Sequence, residues 1–369
     1  MLSSTAPDSE VRARFTVKDV FQLPEGETEY RVEYGPGSKQ KFEELHKALL
    51  AQGLTPRLIG GRDNCVLVLR KASTLEVTRS RVPVMLALAT LASVVFFSLF
   101  ERLTYEQFAP AVAGYQVLGL YIGGVVGILG AHELGRRYVA KRSKSFSPGS
   151  YALPGIPYLT TILPSLGFVS AQRKPAINRD KLFDIMLAGP LVALAVSVIL
   201  YTMGGFMSTQ SSHPLPSCES NSTYISVCSS VVQSALDAVT NPFLPAIAPG
   251  YLRFSPIQDA AAIGFLLTFI NLLPMANFDG GFLSALTWGR RAARVATYLS
   301  ALALITIDAP FYWGAGVFVL LLAARPLELQ LLDEVSGATR SRRLLYLGAL
   351  VIGFLCLPIP QNLATFALG

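Results

Sequence analysis

The chain has 369 residues, of which 51% are hydrophobic and 15% are charged, and its mean hydropathy is +0.45. This composition is too apolar for a soluble globular protein of this size, and it indicates several segments long enough to cross a bilayer. The net charge of +7 does not indicate a nucleic-acid partner. The basic residues cluster beside apolar segments, as in cytoplasmic loops of membrane proteins, and no DNA- or RNA-binding motif accompanies them.

Residues 1–78 have the composition of a soluble segment and predict a small cytoplasmic α+β domain. The N-terminal end has no apolar core and carries acidic residues, so we expect neither a signal peptide nor a transit peptide. His46 lies among charged residues of a predicted helix and is expected to be an exposed surface side chain. The pattern of apolar residues predicts strands over residues 14–21, 29–34, 56–59 and 65–69 and a helix over residues 39–52.

The rest of the chain predicts a polytopic α-helical membrane protein with about six to seven transmembrane helices. The membrane core is expected over residues 79–294, with additional C-terminal transmembrane helices over residues 295–369. A Pro- and Gly-rich stretch at residues 146–179 does not fit a helix and predicts a re-entrant hairpin or a membrane-surface sheet. The apolar segments are 82–100, 111–131, 185–203, 260–282, 292–324 and 344–358, of which the fifth forms either two short spans or a re-entrant hairpin.

The distribution of charge predicts an integral multi-pass membrane protein with a cytoplasmic N-terminus. With this orientation and seven crossings, every cluster of Lys and Arg lies on the cytoplasmic side. A loop over about residues 205–256 then lies on the outer side, and Arg253 is its only Lys or Arg. Cys218 and Cys228 lie in this loop and either form a disulfide in an oxidising compartment or remain free thiols.

Two polar stretches enter apolar segments, where ionisable residues are costly and are functional candidates. Both lie near the cytoplasmic ends of their helices, so they can meet. A His-Glu pair begins the pattern His-Glu-x-x-His, in which two imidazoles on one helix face bind zinc and the Glu is the general base. The two stretches are His132-Glu133-Leu-Gly-Arg136 and Asn271-Leu-Leu-Pro274-Met-Ala-Asn277-Phe-Asp279-Gly280-Gly281.

These stretches, together with Arg179-Asp-Lys-Leu-Phe-Asp-Ile-Met-Leu-Ala-Gly189-Pro190, resemble the site-2 protease family of intramembrane zinc metalloproteases. The resemblance covers about residues 121–294. No PDZ-like insertion is evident, which is similar to the compact archaeal, cyanobacterial and plastid branch. The resemblance implies regulated intramembrane proteolysis, in which one zinc ion is the cofactor and a transmembrane-helix protein substrate is locally unwound and cut. It also implies that His132 and Asp279 are zinc ligands, that Glu133 is the general base, and that Asn271, Pro274 and Gly280 position the substrate.

Arg136 occupies the position of the family's second histidine. An arginine stays protonated and offers no lone pair to a metal. His132 and Asp279 alone fall short of the three protein ligands that catalytic zinc sites use. The other two histidines offer no obvious replacement, because His213 lies in the predicted outer loop and His46 lies in the N-terminal domain.

Three hypotheses about activity follow from Arg136. In the first, which we favour, the protein is an impaired or silent homologue whose zinc centre has become a buried ion-pair network, with Arg136 neutralising Glu133, Asp279 or both. In the second, it is an active metalloendopeptidase with an unrecognised third zinc ligand. In the third, it is a non-catalytic membrane scaffold or pseudoprotease. A simpler alternative makes Arg136 the first residue of the cytoplasmic basic cluster, with its charge at the lipid headgroups.

Overall fold

The structure is a computed structural model that describes residues 6–22, 27–71, 81–145, 149–156, 163–172, 174–212, 230–248, 251–307, 317, 327 and 329–357. Most of these residues are helical. In chain order the elements are α1 (Ala6–Arg12), β1 (Val17–Gln22), β2 (Thr28–Val32), α2 (Ser38–Leu50), β3 (Leu54–Gly60), β4 (Cys65–Lys71), α3 (Val82–Phe108), α4 (Gly114–Arg142), β5 (Gly149–Pro154), β6 (Ser165–Ala171), α5 (Arg179–Phe206), β7 (Thr209–Gln210), α6 (Val231–Thr240), β8 (Arg253–Phe254), α7 (Pro256–Leu272), α8 (Asp279–Trp288), α9 (Arg290–Ile307) and α10 (Arg340–Leu355).

The N-terminal elements form an antiparallel sheet with the strand order β1-β2-β4-β3. Its core contains the apolar face of α2, on which Phe42, Leu45 and Leu49 recur at helical spacing. Leu58 and Leu67 are paired in adjacent strands and belong to the same core. The strands and the helix predicted over this part of the sequence are present, and their ends differ from the predicted ones by a few residues.

His46 is buried, and the prediction of an exposed side chain was wrong. It is 7% exposed, because it lies one helical turn after Phe42 and next to Leu45, on the face of α2 that packs on the sheet. Within the described part of the chain its Nδ1 atom has no hydrogen-bond partner. Burial therefore lowers the pKa of His46 below its ordinary value of 6.5.

The stability of the protein is expected to fall as the pH drops below about 6.5, because the unfolded chain then binds a proton at His46 that the folded chain excludes. Thermal unfolding in detergent at about pH 7.5 and about pH 5.5 measures this loss. His46→Gln, which cannot take up the proton, is expected to lose less stability between the two pH values than the wild type. An equal loss in both proteins would remove His46 as the cause.

The N-terminal sheet is hydrogen-bonded to the helical part of the chain through residues 329–335. The backbone N–H of Leu58 in β3 donates to the carbonyl of Leu332 at 2.7 Å, and the N–H of Leu332 donates to the carbonyl of Ala176 at 2.8 Å. One extended segment therefore bridges β3 and the residues that precede α5. The predicted domain boundary at residue 78 lies outside the described residues and stays a prediction.

Charged side chains join the same parts of the molecule. Asp180, in the first turn of α5, lies 2.5 Å from the ammonium of Lys39 in α2 and 3.1 Å from the guanidinium of Arg342 in α10. Its carboxylate also accepts a hydrogen bond from the backbone N–H of Thr339, at 3.1 Å. The N-terminal end of α5 is thus held by α2 and α10.

Three helices in the described part of the chain, α3, α4 and α5, are long and apolar enough to cross a membrane. The shorter helix α7 has 17 residues, and most of its side chains are buried among the other helices. It contributes Phe265, Phe269 and Ile270 to the largest hydrophobic core. Residues 308–316 and 318–326 lie outside the description, so the predicted total of six to seven transmembrane helices stays a prediction.

The predicted apolar segment 260–282 is not one helix. Helix α7 ends at Leu272, a turn follows, and α8 begins at Asp279. Pro274 cannot continue a helical hydrogen-bond ladder, and Asn277 has a φ of +67°, a left-handed conformation that interrupts a helix. The second polar stretch therefore comprises the last two residues of α7, the turn that follows and the beginning of α8.

The Pro- and Gly-rich stretch at residues 146–179 contains an antiparallel pair of strands, β5 and β6. A strand pair agrees with the predicted hairpin or sheet. The hydroxyl of Ser93 in α3 donates to the carbonyl of Gly155 at 2.9 Å, which fixes the end of β5 against that helix. On the other side of the pair, β6 lies against α7 and the turn that precedes α8.

The predicted outer loop, about residues 205–256, is described in part. It contains α6 and the two-residue strands β7 and β8, which pair with each other. His213, Cys218 and Cys228 lie outside the described residues, so the disulfide and the position of this histidine remain predictions.

Candidate functional site

Asp279 is the first residue of α8, and the backbone packing of the preceding turn fixes its position. A Cβ atom on Gly280 would lie 2.0 Å from the carbonyl oxygen of Leu273, and one on Gly281 would lie 2.0 Å from that of Met275. Both distances are far below contact, so any larger residue would push the turn away from α8. The two glycines allow the chain to fold back sharply and present the Asp279 side chain to the interior.

His132 and Arg136 lie one turn apart on the same face of α4. They pack against Gly189 in α5, where a Cβ atom would lie 2.7 Å from His132 Nε2 and 2.9 Å from Arg136 Cγ. A small residue in a membrane helix allows neighbouring helices to approach closely. The structure shows that the space of the missing side chain is filled by the imidazole of His132 and the aliphatic part of Arg136.

The four side chains of His132, Arg136, Ser170 and Asp279 form a buried cluster, which we call the Asp279 network. Asp279 Oδ2 lies 2.8 Å from His132 Nε2, and Asp279 Oδ1 lies 3.3 Å from Arg136 Nη1. Arg136 Nη1 donates to the Ser170 hydroxyl at 2.8 Å, and this hydroxyl donates to Asp279 Oδ1 at 3.3 Å. Each of the four residues is at most 2% exposed. The carboxylate of Asp279 is therefore neutralised inside the protein by an arginine.

The burial of Arg136 decides between two of the predicted roles for this residue. Its side chain is 0% exposed, so its charge does not reach the lipid headgroups, and the interpretation as the first residue of the surface basic cluster was wrong. Its neighbour Arg137 is 70% exposed and does lie on the surface. The i, i+4 spacing from His132 brings Arg136 inward, since both side chains face α5 and α8.

Glu133 takes no part in the Asp279 network. Its Oε1 lies 2.6 Å from Nε of Arg137, and its Oε2 accepts a hydrogen bond of 2.5 Å from the hydroxyl of Ser150 in β5. Of the two carboxylates that Arg136 was predicted to neutralise, the structure pairs it with Asp279. Arg137, one position along, neutralises Glu133 instead.

Asn271 and Pro274 connect the site to its neighbours. The Asn271 side chain is buried, donates to the carbonyl of Leu267 at 2.7 Å and accepts a 3.4 Å contact from the N–H of Phe168 in β6. The carbonyl of Pro274 accepts a hydrogen bond from Thr297 in α9 at 3.0 Å. In this structure Asn271 therefore holds β6 against α7.

Two residues of β6, Phe168 and Ser170, complete the site, and no motif in the sequence points to either of them. Ser170 bridges Arg136 and Asp279, and its backbone N–H donates to the carbonyl of Asn277 at 2.7 Å. The ring of Phe168 stacks on the imidazole of His132 with a centroid distance of 4.7 Å and an interplanar angle of 12°. The sequence predicted only that the stretch 146–179, which contains both residues, forms a hairpin or a sheet.

The space beside His132 is small. A cavity of about 10 Å³ is lined mainly by apolar groups of α4, α5, α7 and β6, together with Thr268 and Asn271. This volume is near the minimum for a single water molecule and is far too small for a peptide segment. Among the residues that the structure describes, neither ring nitrogen of His132 has a partner in hydrogen-bond geometry. The 2.8 Å approach of its Nε2 to Asp279 Oδ2 is therefore a close contact and not a directed hydrogen bond.

The side chains present do not fit a catalytic zinc ion. Such a site needs three protein ligands and one open position, and of the residues that the structure describes only His132 and Asp279 meet here with donor atoms for a metal. The guanidinium of Arg136 lies at the place of the third ligand, where its positive charge opposes that of the ion. Across the described residues, no group of three His, Cys, Asp or Glu side chains is placed to hold a metal.

The network is not arranged as a hydrolase triad either. In such a triad the imidazole lies between the hydroxyl and the carboxylate, and takes the proton of the hydroxyl. Here the hydroxyl of Ser170 is bonded to Arg136 and Asp279, and the carboxylate lies between the hydroxyl and the imidazole. The arrangement neutralises charge and fixes three elements, α4, β6 and α8, to one another.

Comparison with known proteins decides the family. Residues 120–307, half of the chain, match the model of Peptidase family M50. The chain belongs to Peptidase family M50. The predicted resemblance to the site-2 proteases is thereby confirmed, and this M50 protein is a membrane-associated member of a family of zinc metalloproteases.

The curated relatives that the chain matches are named as chloroplast proteins. It is 27% identical over 248 residues to "Probable zinc metalloprotease EGY1, chloroplastic" of Arabidopsis thaliana, which covers 65% of this chain and 43% of that protein. It is 26% identical over 274 residues to "Probable zinc metalloprotease EGY2, chloroplastic" of the same species, which covers 70% and 46%. The chain thus spans about half the length of the curated relatives it matches. No solved structure matches the chain.

Proposed function

We propose that this M50 protein is a silent member of its family, in which an ion-pair network replaces the zinc centre and the membrane core binds transmembrane helices without cutting them. The observation that carries the proposal is the contact between Arg136 and Asp279 inside the protein. A buried carboxylate is costly unless it is paired with a positive charge. The zinc ion would supply that charge in an active relative, and arginine supplies it here.

The position of Glu133 supports the same conclusion. A general base must lie within hydrogen-bond distance of the water it activates, directly or through one other water. Both carboxylate oxygens of Glu133 are engaged, one by Arg137 and one by Ser150, and neither is engaged by the residues around Asp279. The base and the zinc ligands of the family motif are therefore separated in this arrangement.

The proposal places the protein in the bilayer as an integral multi-pass membrane protein with a cytoplasmic N-terminus. Its partners are lipids and a membrane protein whose transmembrane helix enters the core. Residues 1–78 would act as a cytoplasmic regulatory or partner-binding module, residues 79–294 as the protease-like core, and residues 295–369 as additional membrane helices. The contacts between residues 329–335 and both β3 and Ala176 give such a module a direct connection to α5.

An active metalloendopeptidase is the alternative, and the names of the relatives favour it. "Probable zinc metalloprotease" is the description of EGY1 and EGY2, and Glu133 keeps the residue type that a general base requires. On this alternative a third zinc ligand comes from a histidine or carboxylate that the described residues do not bring to Asp279. Zinc would also have to displace Arg136 from the carboxylate.

A cleavage assay in proteoliposomes tests the proposed function. The protein is incubated with a panel of single-span membrane proteins and added zinc, beside a family member that has the complete His-Glu-x-x-His motif. We expect no fragment above background, and no difference between the wild type and Glu133→Gln. Zinc-dependent fragments that disappear in Glu133→Gln would establish the active enzyme and refute the proposal.

A further inference from the structure

Helix α10 lies outside the segment that matches the family, which ends at residue 307, yet it contacts the turn that carries Asp279. Tyr346 in α10 is fully buried. Its hydroxyl donates to the carbonyl of Gly280 at 2.9 Å and lies 3.3 Å from the carbonyl of Leu272. A hydroxyl has one proton, so the shorter contact is the main hydrogen bond and the longer one is its weaker branch.

The two carbonyls stand on either side of the turn. Leu272 is the last residue of α7, where carbonyl groups lack partners within their own helix. Gly280 is the second residue of α8 and directly follows Asp279. A single side chain from a third helix thus spans the beginning and the end of the turn between residues 273 and 278.

The position of the Tyr346 hydroxyl is itself fixed by packing. The ring lies 5.1 Å from the ring of Trp288, which ends α8. Seven residues further along α10, Gly353 brings the helix so close to α7 that a Cβ atom there would lie 3.3 Å from the Cβ of Leu272. The hydroxyl therefore has little freedom to follow the turn if the turn moves.

We infer that Tyr346 is a positioning residue for Asp279, and that α10 completes the site from outside the family-matched segment. The carboxylate must meet His132, Arg136 and Ser170 at once, and this demands a turn of fixed shape. The hydroxyl of Tyr346 supplies a hydrogen bond that ties the two ends of the turn together. The inference concerns the placement of Asp279 and holds whether or not the protein cuts a substrate.

The imidazole of His132 reports on this placement, because its Nε2 atom lies 2.8 Å from Asp279. The chain has three histidines, so the detergent-solubilised protein labelled with ¹⁵N-histidine gives a simple nitrogen spectrum. The signals of His132 are identified as those that disappear in His132→Gln. Tyr346→Phe removes the hydroxyl and keeps the ring.

The matched control is Tyr201→Phe, which also removes a buried hydroxyl, one that is bonded to Asp237 at 3.1 Å rather than to the turn. We expect Tyr346→Phe to shift the Nε2 signal of His132 towards that of an imidazole without a carboxylate partner, and Tyr201→Phe to leave it in place. 4-Aminophenylalanine at position 346, which restores a donor, is expected to return the signal to its wild-type position.

An unchanged His132 signal in Tyr346→Phe would overturn the inference, and so would equal shifts in the two tyrosine variants, since these would report general loosening of the fold. If Tyr346→Phe does not yield folded protein, 4-aminophenylalanine and 4-methylphenylalanine are compared at position 346. The two fill the same space and differ in the donor. Identical His132 signals in this pair would then count against the inference.

Discussion

Replacing Arg136 with alanine is expected to lower the free energy of unfolding by about 3–5 kcal/mol, the usual cost of removing one partner of a buried ion pair. The carboxylate of Asp279 would stay in the interior with a histidine and a serine as its remaining partners. The truncation would also leave an empty volume against Gly189, since the Arg136 side chain fills that space. Urea or thermal unfolding of the detergent-solubilised protein measures the loss.

Arg137→Ala is a closely matched control, because it removes the same side chain one position further along α4. Arg137 is 70% exposed and pairs with Glu133 at the surface, and exposed pairs contribute at most about 1 kcal/mol. We therefore expect a large loss of stability for Arg136→Ala and a small one for Arg137→Ala. Similar small losses for both would show that Asp279 does not depend on Arg136.

The meeting of the two polar stretches could be anticipated from the sequence. The charge pattern placed both at the same ends of their helices, and the i, i+4 spacing placed Arg136 on the face of His132. The structure brings His132 and Asp279 to 2.8 Å and Arg136 to 3.3 Å from the same carboxylate. The common face of His132 and Arg136 follows from helical periodicity, which a sequence displays directly.

The partner of Glu133 could not be chosen from the sequence alone. Arg136 at i+3 and Arg137 at i+4 are both within reach of a glutamate on a helix. The choice depends on which side of α4 faces the protein interior, and therefore on Gly189 in α5 and Ser150 in β5. The pairing of Glu133 with Arg137 therefore depends on residues of α5 and β5 that lie outside the local sequence.

Ser170 and Tyr346 were missed for a related reason. Ser170 is 109 residues from Asp279 in the sequence, and Tyr346 is 66 residues from Gly280. A serine in a short strand and a tyrosine in an apolar helix carry no pattern that points to a distant carboxylate. The break after α7 was more visible, because Pro274 and an Asn-x-Asp sequence are turn signals. We nevertheless predicted one apolar segment over residues 260–282, because the apolar run is long enough to cross a bilayer.

The N-terminal part contains features that the sequence predicted and features that it did not. Period-two strands and the spacing of α2 made the sheet predictable. The connection of the sheet to Ala176 through Leu332 could not be predicted, because Leu332 lies 274 positions after Leu58, the strand residue that it contacts. The same spacing that predicted α2 also places His46 with Phe42 and Leu49 on its buried face. His46 was nevertheless predicted to be exposed, because charged residues lie beside it in the sequence.

The metal content of the purified protein tests most directly the claim that Arg136 stands in the place of zinc. Wild type, Arg136→His and Arg137→His are purified with zinc present, freed of loosely bound metal and analysed by mass spectrometry. We expect no stoichiometric zinc in the wild type or in Arg137→His. We expect about one zinc per chain in Arg136→His, in which three ligands would meet. Stoichiometric zinc in the wild type, or none in a folded Arg136→His protein, would refute the claim that Arg136 stands in the place of zinc.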